Sequence, residues 1–249
     1  MRSGFLLIGL SVGSMCAAVT PAPAQEHHKG HSPAELNEPF QAPDLDVGKF
    51  VERFESESRD IYAKRRRIVE AVGLRPGMAV ADIGSGTGLF AWLFAEEVGP
   101  EGAVYAVEIA PAFRKYIGDQ ARKRGLERVV KPVRSSQETT NLAPGSIDVA
   151  FVCATYHHFE HPEKVLGSIR RALRPGGRLV VIDFDLREDS SDFVRAHARA
   201  PRDVYFKEIQ AAGFAPVEAK PPIVLKDNFF AVFRRTESEA RSSGRADDR

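Results

Sequence analysis

The most restrictive feature of this 249-residue chain is a short apolar run, residues 78–83. It breaks into Gly84-Ser85-Gly86-Thr87-Gly88 and restarts as a helical pattern over residues 89–98. Three glycines in five residues, between a strand and a helix, let the backbone turn sharply and pass close to a ligand. The N-terminus of the following helix then faces a negative or electron-rich group. A dinucleotide fingerprint, G-x-G-x-x-G counted from Gly84, requires glycine at the position held by Leu89. No Lys-Ser/Thr pair follows, so a phosphate-cradling P-loop is excluded. Asp82 stands just before the loop, and Glu108 closes the next apolar run, 20 residues beyond Gly88. A carboxylate at that offset can accept both hydroxyls of a ribose.

The rest of the chain repeats the alternation. Residues 49–72 suit one or two amphipathic helices, stopped by Gly73 and the Arg75-Pro76-Gly77 turn. Strand patterns follow at 78–83, 103–107, 128–133, 147–154 and 178–184, with helical patterns at 89–98, 111–124 and 162–173. The strand runs lack clean alternation, as expected when both faces are covered. Such strands separated by helices make a parallel sheet in a doubly wound α/β domain. A further helix, residues 201–212, precedes two strand-like runs at 214–224 and 228–234. The short Lys226-Asp227 connection predicts an antiparallel hairpin.

The ends differ from this core. Arg2, an apolar stretch at 5–12, small residues at 13–19 and Ala22-Pro23-Ala24 together read as a cleaved export signal over residues 1–24. The expected location is exported, in the periplasm. Cleavage removes Arg2 and Cys16, leaving 34 basic against 34 acidic residues and one cysteine, Cys153. A single thiol makes no intrachain disulfide and no cysteine-based zinc cluster. The balanced charge gives no support to a nucleic-acid partner. Residues 25–49, with His27, His28 and His31, read as a flexible N-terminal tail, the domain as 50–236, and residues 237–249 as a disordered tail. No resident metal is expected.

Over residues 50–235 the chain resembles a class I S-adenosylmethionine-dependent methyltransferase. The likeness rests on Val80-Ala81-Asp82-Ile83-Gly84-Ser85-Gly86-Thr87-Gly88, Tyr105-Ala106-Val107-Glu108-Ile109 and Ser146-Ile147-Asp148-Val149-Ala150-Phe151. Tyr156-His157-His158-Phe159 and Leu173-Arg174-Pro175-Gly176-Gly177-Arg178-Leu179 complete it. The resemblance implies a Rossmann-like, doubly wound seven-stranded sheet with an antiparallel C-terminal strand and N-terminal lid helices. It implies S-adenosyl-L-methionine as cofactor and a small-molecule methyl acceptor. Gly84, Ser85, Gly86 and Gly88 would pass beside the methionine part, and Asp82 would orient the loop or reach the ammonium through water. Glu108 would hold the ribose and Ile109 would pack on the adenine. Ser136 and Gln137 fall where the family usually has Asp and a small residue at the adenine edge. Arg59 and Tyr62 lie on the expected lid, with Tyr62 closing over the cofactor.

Methyl transfer from a sulfonium asks mainly for positioning, and for a base only when the acceptor must lose a proton. His157 and His158, past the end of the fourth strand, are the candidate bases, with packing and loop orientation as the other reading. His197, Asp183 and Asp185 are candidates to face the pocket. The run Lys64-Arg65-Arg66-Arg67 reads as a solvated helix face. An exported module that binds the cofactor or a related nucleoside without turnover is the alternative to an enzyme.

Overall fold

The structure is a computed structural model that describes residues 31–42, 44–217 and 223–236. The expected export segment 1–24, the part of the expected tail that carries His27 and His28, and residues 237–249 lie outside the described residues.

Four short helices open the described chain: α1 (Pro33–Asn37), α2 (Val47–Phe54), α3 (Asp60–Ala63) and α4 (Arg65–Val72). The expectation of a flexible tail over 25–49 is corrected at α1. Ser32 and Glu35 form a reciprocal capping box at its start, with Pro33 in the first turn. Asn37 at its end is buried against the loop after the fourth strand. Of the Lys64–Arg67 run, Arg66 and Arg67 are exposed and Lys64 and Arg65 half-buried, with Lys64 ion-paired to Asp60 at 2.7 Å and Arg66 to Glu96 at 3.2 Å.

The sheet is built from β1 (Ala79–Ile83), β2 (Ala103–Glu108), β3 (Val130–Arg134), β4 (Ile147–Cys153), β5 (Leu173–Phe184), β6 (Phe214–Pro216) and β7 (Asn228–Arg235). Its order is β3-β2-β1-β4-β5-β7-β6. The first five strands are parallel, and β7 lies antiparallel between β5 and β6. This is the Rossmann-like doubly wound α/β fold. Successive side chains of each strand point to opposite faces. Val80, Val104, Ala106, Phe151 and Val180 pack with α4, α5 (Leu89–Val98) and α6 (Pro111–Lys123). Ala81, Ile83, Ala150, Val152 and Val181 pack with α7 (Pro162–Ala172) and α9 (Arg202–Ala211) on the other side. Burial on both faces is why the strands read as continuous apolar runs.

Two sequence expectations shift in detail. The Arg174-Pro175-Gly176-Gly177 turn, read as the end of a helix, lies inside β5. Leu173 still pairs with Ile147 while Val149 pairs with Arg178, so the intervening residues bulge out. The terminal pairing is not a two-residue hairpin. Phe214 faces Arg235, and β6 ends at Pro216, so a longer connection precedes β7. Prolines at 216, 221 and 222 carry no amide donor for a ladder.

Candidate active site

The strand order reverses between β1 and β4, and at such switch points the crevice beyond the strand C-termini receives ligands. A cavity of about 660 Å³ opens there. It falls within the range of roughly 300–1,000 Å³ usual for small-molecule sites. Its lining comes from the ends of β1, β2 and β4, from α1 and α2, and from α8 (Asp192–His197).

The glycine turn leaves β1 hydrogen-bonded to the neighbouring strand, with the amides of Gly84 and Ser85 donating to Val107 O at 2.8 and 3.1 Å. Gly84, Gly86 and Gly88 have φ of +74°, +52° and +82°. A Cβ on Gly84 would come within 2.6 Å of Thr155 Oγ1 and overlap that residue's methyl group. The Ser85 hydroxyl donates to Asp82 O at 2.7 Å, closing the turn on itself.

Glu108 is buried at the end of β2 and fixed by three amides. Its Oε2 accepts from Gly86 N at 2.9 Å, and its Oε1 from Ile109 N and Ala110 N at 2.7 and 2.8 Å. Burial pushes its pKa up, and the amide bonds oppose this. Asp82, also buried, has its pKa pushed up to about 7, by desolvation first and by the charge of Glu108 as well. Ile109 is 39% exposed, an open apolar side chain on the cavity wall. Ser136 and Gln137 line the same end. Gln137 Nε2 donates to Glu160 Oε1 at 2.6 Å.

Across the cavity, His157 is buried and its Nδ1 lies 2.8 Å from Asp183 Oδ1. Among the described residues its Nε2 has no hydrogen-bond partner, and it is not sealed from the cavity. His158 places Nδ1 3.0 Å from Asn37 Oδ1, while the Asn37 amide nitrogen donates to His158 O and Glu160 Oε1. The amide oxygen only accepts, so His158 carries its proton on Nδ1. Burial first, with the neighbouring His157 ring as a smaller contribution, drives the pKa of His158 down to about 3.

Three expectations are corrected. Tyr62 does not line the cavity. The single turn of α3 directs Ile61 inward, and Tyr62 lies under the Arg65 guanidinium, 3.9 Å from its ring centroid. Asp183 is fully buried and serves His157 rather than facing the pocket. Asp185 is turned away and ion-paired with Arg187 at 3.2 Å. His197 and Arg59 do line the cavity, Arg59 with its guanidinium over the Phe54 ring and Nη1 donating to Phe54 O at 3.0 Å. Sequence reasoning missed Asn37 and Arg53, both in the lining, and the orienting role of Asp183. Among the described residues no group of three His, Cys, Asp or Glu side chains could hold a metal ion.

Residues 81–181 match the family model described as a methyltransferase domain. The chain is 34% identical over 120 residues to a ubiquinone/menaquinone biosynthesis C-methyltransferase of Ectopseudomonas mendocina, covering 48% of this chain and 47% of the relative. The corresponding enzyme of Idiomarina loihiensis is 32% identical over 120 residues, 48% of each chain. The chain thus spans about half the length of the curated relatives it matches. A solved SAM-dependent methyltransferase from Aquifex aeolicus superposes with a TM-score of 0.64 at 23% identity, covering 77% of this chain and 98% of the other. That likeness shows the shared fold.

Proposed function

We propose that the chain is an enzyme, an S-adenosyl-L-methionine-dependent methyltransferase acting on a small-molecule acceptor. The observation that carries this reading is the 2.9 Å bond from Gly86 N to Glu108 Oε2. It joins the glycine turn of β1 to the acid of β2 on the wall of one cavity. The methyltransferase model matched over residues 81–181 supports the same reading.

The residues fit the cofactor. The path past Gly84, Gly86 and Gly88 stays open because these three positions carry no Cβ, and Phe54 lies just 3.5 Å from where a Cβ on Gly86 would be. An ionised carboxylate offers about four acceptor sites. Three on Glu108 are taken by amides, so one remains for a ribose hydroxyl. Ile109 offers apolar surface to a purine, with Ser136 and Gln137 beside it. Asp82, Arg59 and Cys153 line the same cavity, and the charges of Asp82 and Arg59 both reach the Cys153 thiol, an acid and a guanidinium suited to the ammonium and carboxylate of an amino acid.

When bound, the sulfonium supplies a methyl group already activated for displacement. The chain's part is to hold the acceptor in line and exclude water. For a protic acceptor, Asp183 keeps the His157 proton on Nδ1 and leaves Nε2 free to take another. Calorimetry with S-adenosylmethionine tests the reading, and an absence of heat defeats it. Binding without methyl transfer to any of a panel of phenols, amines and quinols would favour the non-catalytic module.

We also propose that residues 1–24 direct export to the periplasm. The N-terminal residue of the protein isolated from its host tests this, and an intact Met1 would refute it.

A further inference from the structure

Beyond the two histidines the cavity continues onto a wall that the cofactor-binding residues do not use. Phe193 and His197 of α8 stack with ring centroids 4.0 Å apart, tilted by 29°. Phe184, at the end of β5, stands edge-on to Phe193 at 5.9 Å and 4.9 Å from the His157 ring. Phe40 stands edge-on to His158 at 5.4 Å. All of these rings line the cavity, and Phe193 is 53% exposed. Rings arranged this way offer a flat guest both face and edge contacts.

The charge on this wall is unbalanced. Arg53, in the last turn of α2, lines the cavity, and its charge reaches both His158 and His197. Among the described residues no carboxylate lies within ion-pair distance of it. Two of the acids in the lining are already committed. Glu35 accepts from Ser32 N and Oγ at 2.7 and 2.8 Å, and Glu108 is held by its three amides. An anionic group on the guest would meet an unpaired guanidinium, which recognises carboxylates by paired hydrogen bonds.

The third observation is the base. Asp183 fixes the His157 tautomer so that Nε2 is a lone pair open to the cavity, as an acidic hydroxyl requires and as a thioether, which has no proton to lose, does not. A phenol, with a pKa of about 10, is protonated at neutral pH.

Resting on the methyltransferase reading, we propose that the acceptor is a planar aromatic ring bearing a hydroxyl and an anionic substituent. Its ring contacts the Phe184, Phe193 and His197 wall, its anion meets Arg53, and its hydroxyl is methylated. The hydroxyl proton passes to His157 Nε2. The oxygen forms a bond to the methyl carbon as the carbon–sulfur bond breaks, with that electron pair returning to sulfur. The products are an aryl methyl ether, the neutral thioether and an imidazolium that later releases its proton to water.

Calorimetry on the full chain saturated with S-adenosylhomocysteine tests the pocket without turnover, using 3,4-dihydroxybenzoate, catechol and cyclohexanecarboxylate as probes. The dihydroxybenzoate is expected to bind about ten-fold or more tightly than either analogue. Arg53→Gln should reduce it to the level of catechol while leaving catechol unchanged. Phe193→Ala should weaken both aromatic probes about three-fold. Equal affinity for all three probes, or an Arg53→Gln variant that binds dihydroxybenzoate normally, overturns the proposal. Methylation of the ring carbon instead of the oxygen, read by mass spectrometry of the product, also overturns it. Failure to bind S-adenosylhomocysteine in the same titration defeats the methyltransferase reading itself, whereas binding without probe discrimination defeats the acceptor class alone.

Discussion

Asp183 holds His157 from two sides. One carboxylate oxygen lies 2.8 Å from the ring Nδ1, and the other accepts the backbone N–H of the same residue at 3.2 Å. The Phe184 amide adds a third donor at 2.7 Å. Burial would raise the pKa of this carboxyl, but the imidazole and the amide donors outweigh it and hold the group below the usual carboxylate value. An ionised, immobile acid behind an imidazole fixes the tautomer and steadies the imidazolium that proton transfer creates.

Asp183→Asn therefore separates orientation from binding. Turnover with a protic acceptor should fall about 10²-fold or more, because the amide can favour the wrong tautomer. The dissociation constant for S-adenosylmethionine should stay the same, measured by calorimetry. A parallel loss of both would assign Asp183 to folding.

Glu108→Gln keeps the shape of the side chain and removes its charge. The amide nitrogen cannot accept from Gly86 N, and the ribose loses a charged acceptor. Affinity for S-adenosylmethionine should drop about ten-fold or more, equivalent to one hydrogen bond to a charged group. The check is the same titration, paired with a melting curve to show that the fold survives.

Gly84→Ala confronts two penalties, a positive φ and the Thr155 side chain. It should destabilise the protein by about 2 kcal/mol or more. Adding Thr155→Gly removes the collision and leaves the backbone strain, so the double variant should recover part of the loss in denaturant unfolding. No recovery would place the whole cost in the backbone.

Two buried groups give opposing pH slopes. Asp82 has a folded pKa near 7, above its unfolded value, so the folded state holds a proton that the unfolded state releases. Stability from this group is present below about pH 4 and is lost as pH rises towards 7. His158 has a folded pKa of about 3, below its unfolded value. Its contribution is present above about pH 6.5 and is lost as pH falls towards 3. Asp82→Asn should make the slope of stability against pH more positive between pH 4 and 6.5, and His158→Asn should make it more negative. Urea unfolding across that range reads both.

Asn37→Asp tests the tie between α1 and the histidine loop. The carboxylate can still accept from His158 Nδ1 but cannot donate to His158 O, and it sets a like charge beside Glu160. Amide exchange in residues 33–40 should quicken while the strands keep their protection. Unchanged exchange there would show that α1 is held by other contacts.

What could be read from the sequence was what is local. The turn at Gly84–Gly88 and the position of Glu108 follow from spacings of a few residues to a few tens, and the covered sheet follows from its unbroken apolar strands. The partnership of His157 with Asp183 spans 26 residues. It exists because β4 and β5 are neighbours, with Cys153 opposite Ile182, so the residues just beyond both strands share one edge. Helix α1 was overlooked although Ser32-Pro33-Ala34-Glu35 carries a capping-box signature, because prolines and the lack of apolar period dominate that segment. Tyr62 was misassigned because one turn of helix gives no period from which to tell the inner side. Arg53 gives no local signal at all, since its significance lies in having no carboxylate within ion-pair distance among the described residues.

The position of β7 between β5 and β6 bears on how the chain can be made. A nascent polypeptide cannot seal that gap until residue 235 has emerged, so the earlier strands must wait with an unfilled edge. Late closure of this kind slows folding, because the long-range pairing of β7 with β5 is the last to become available.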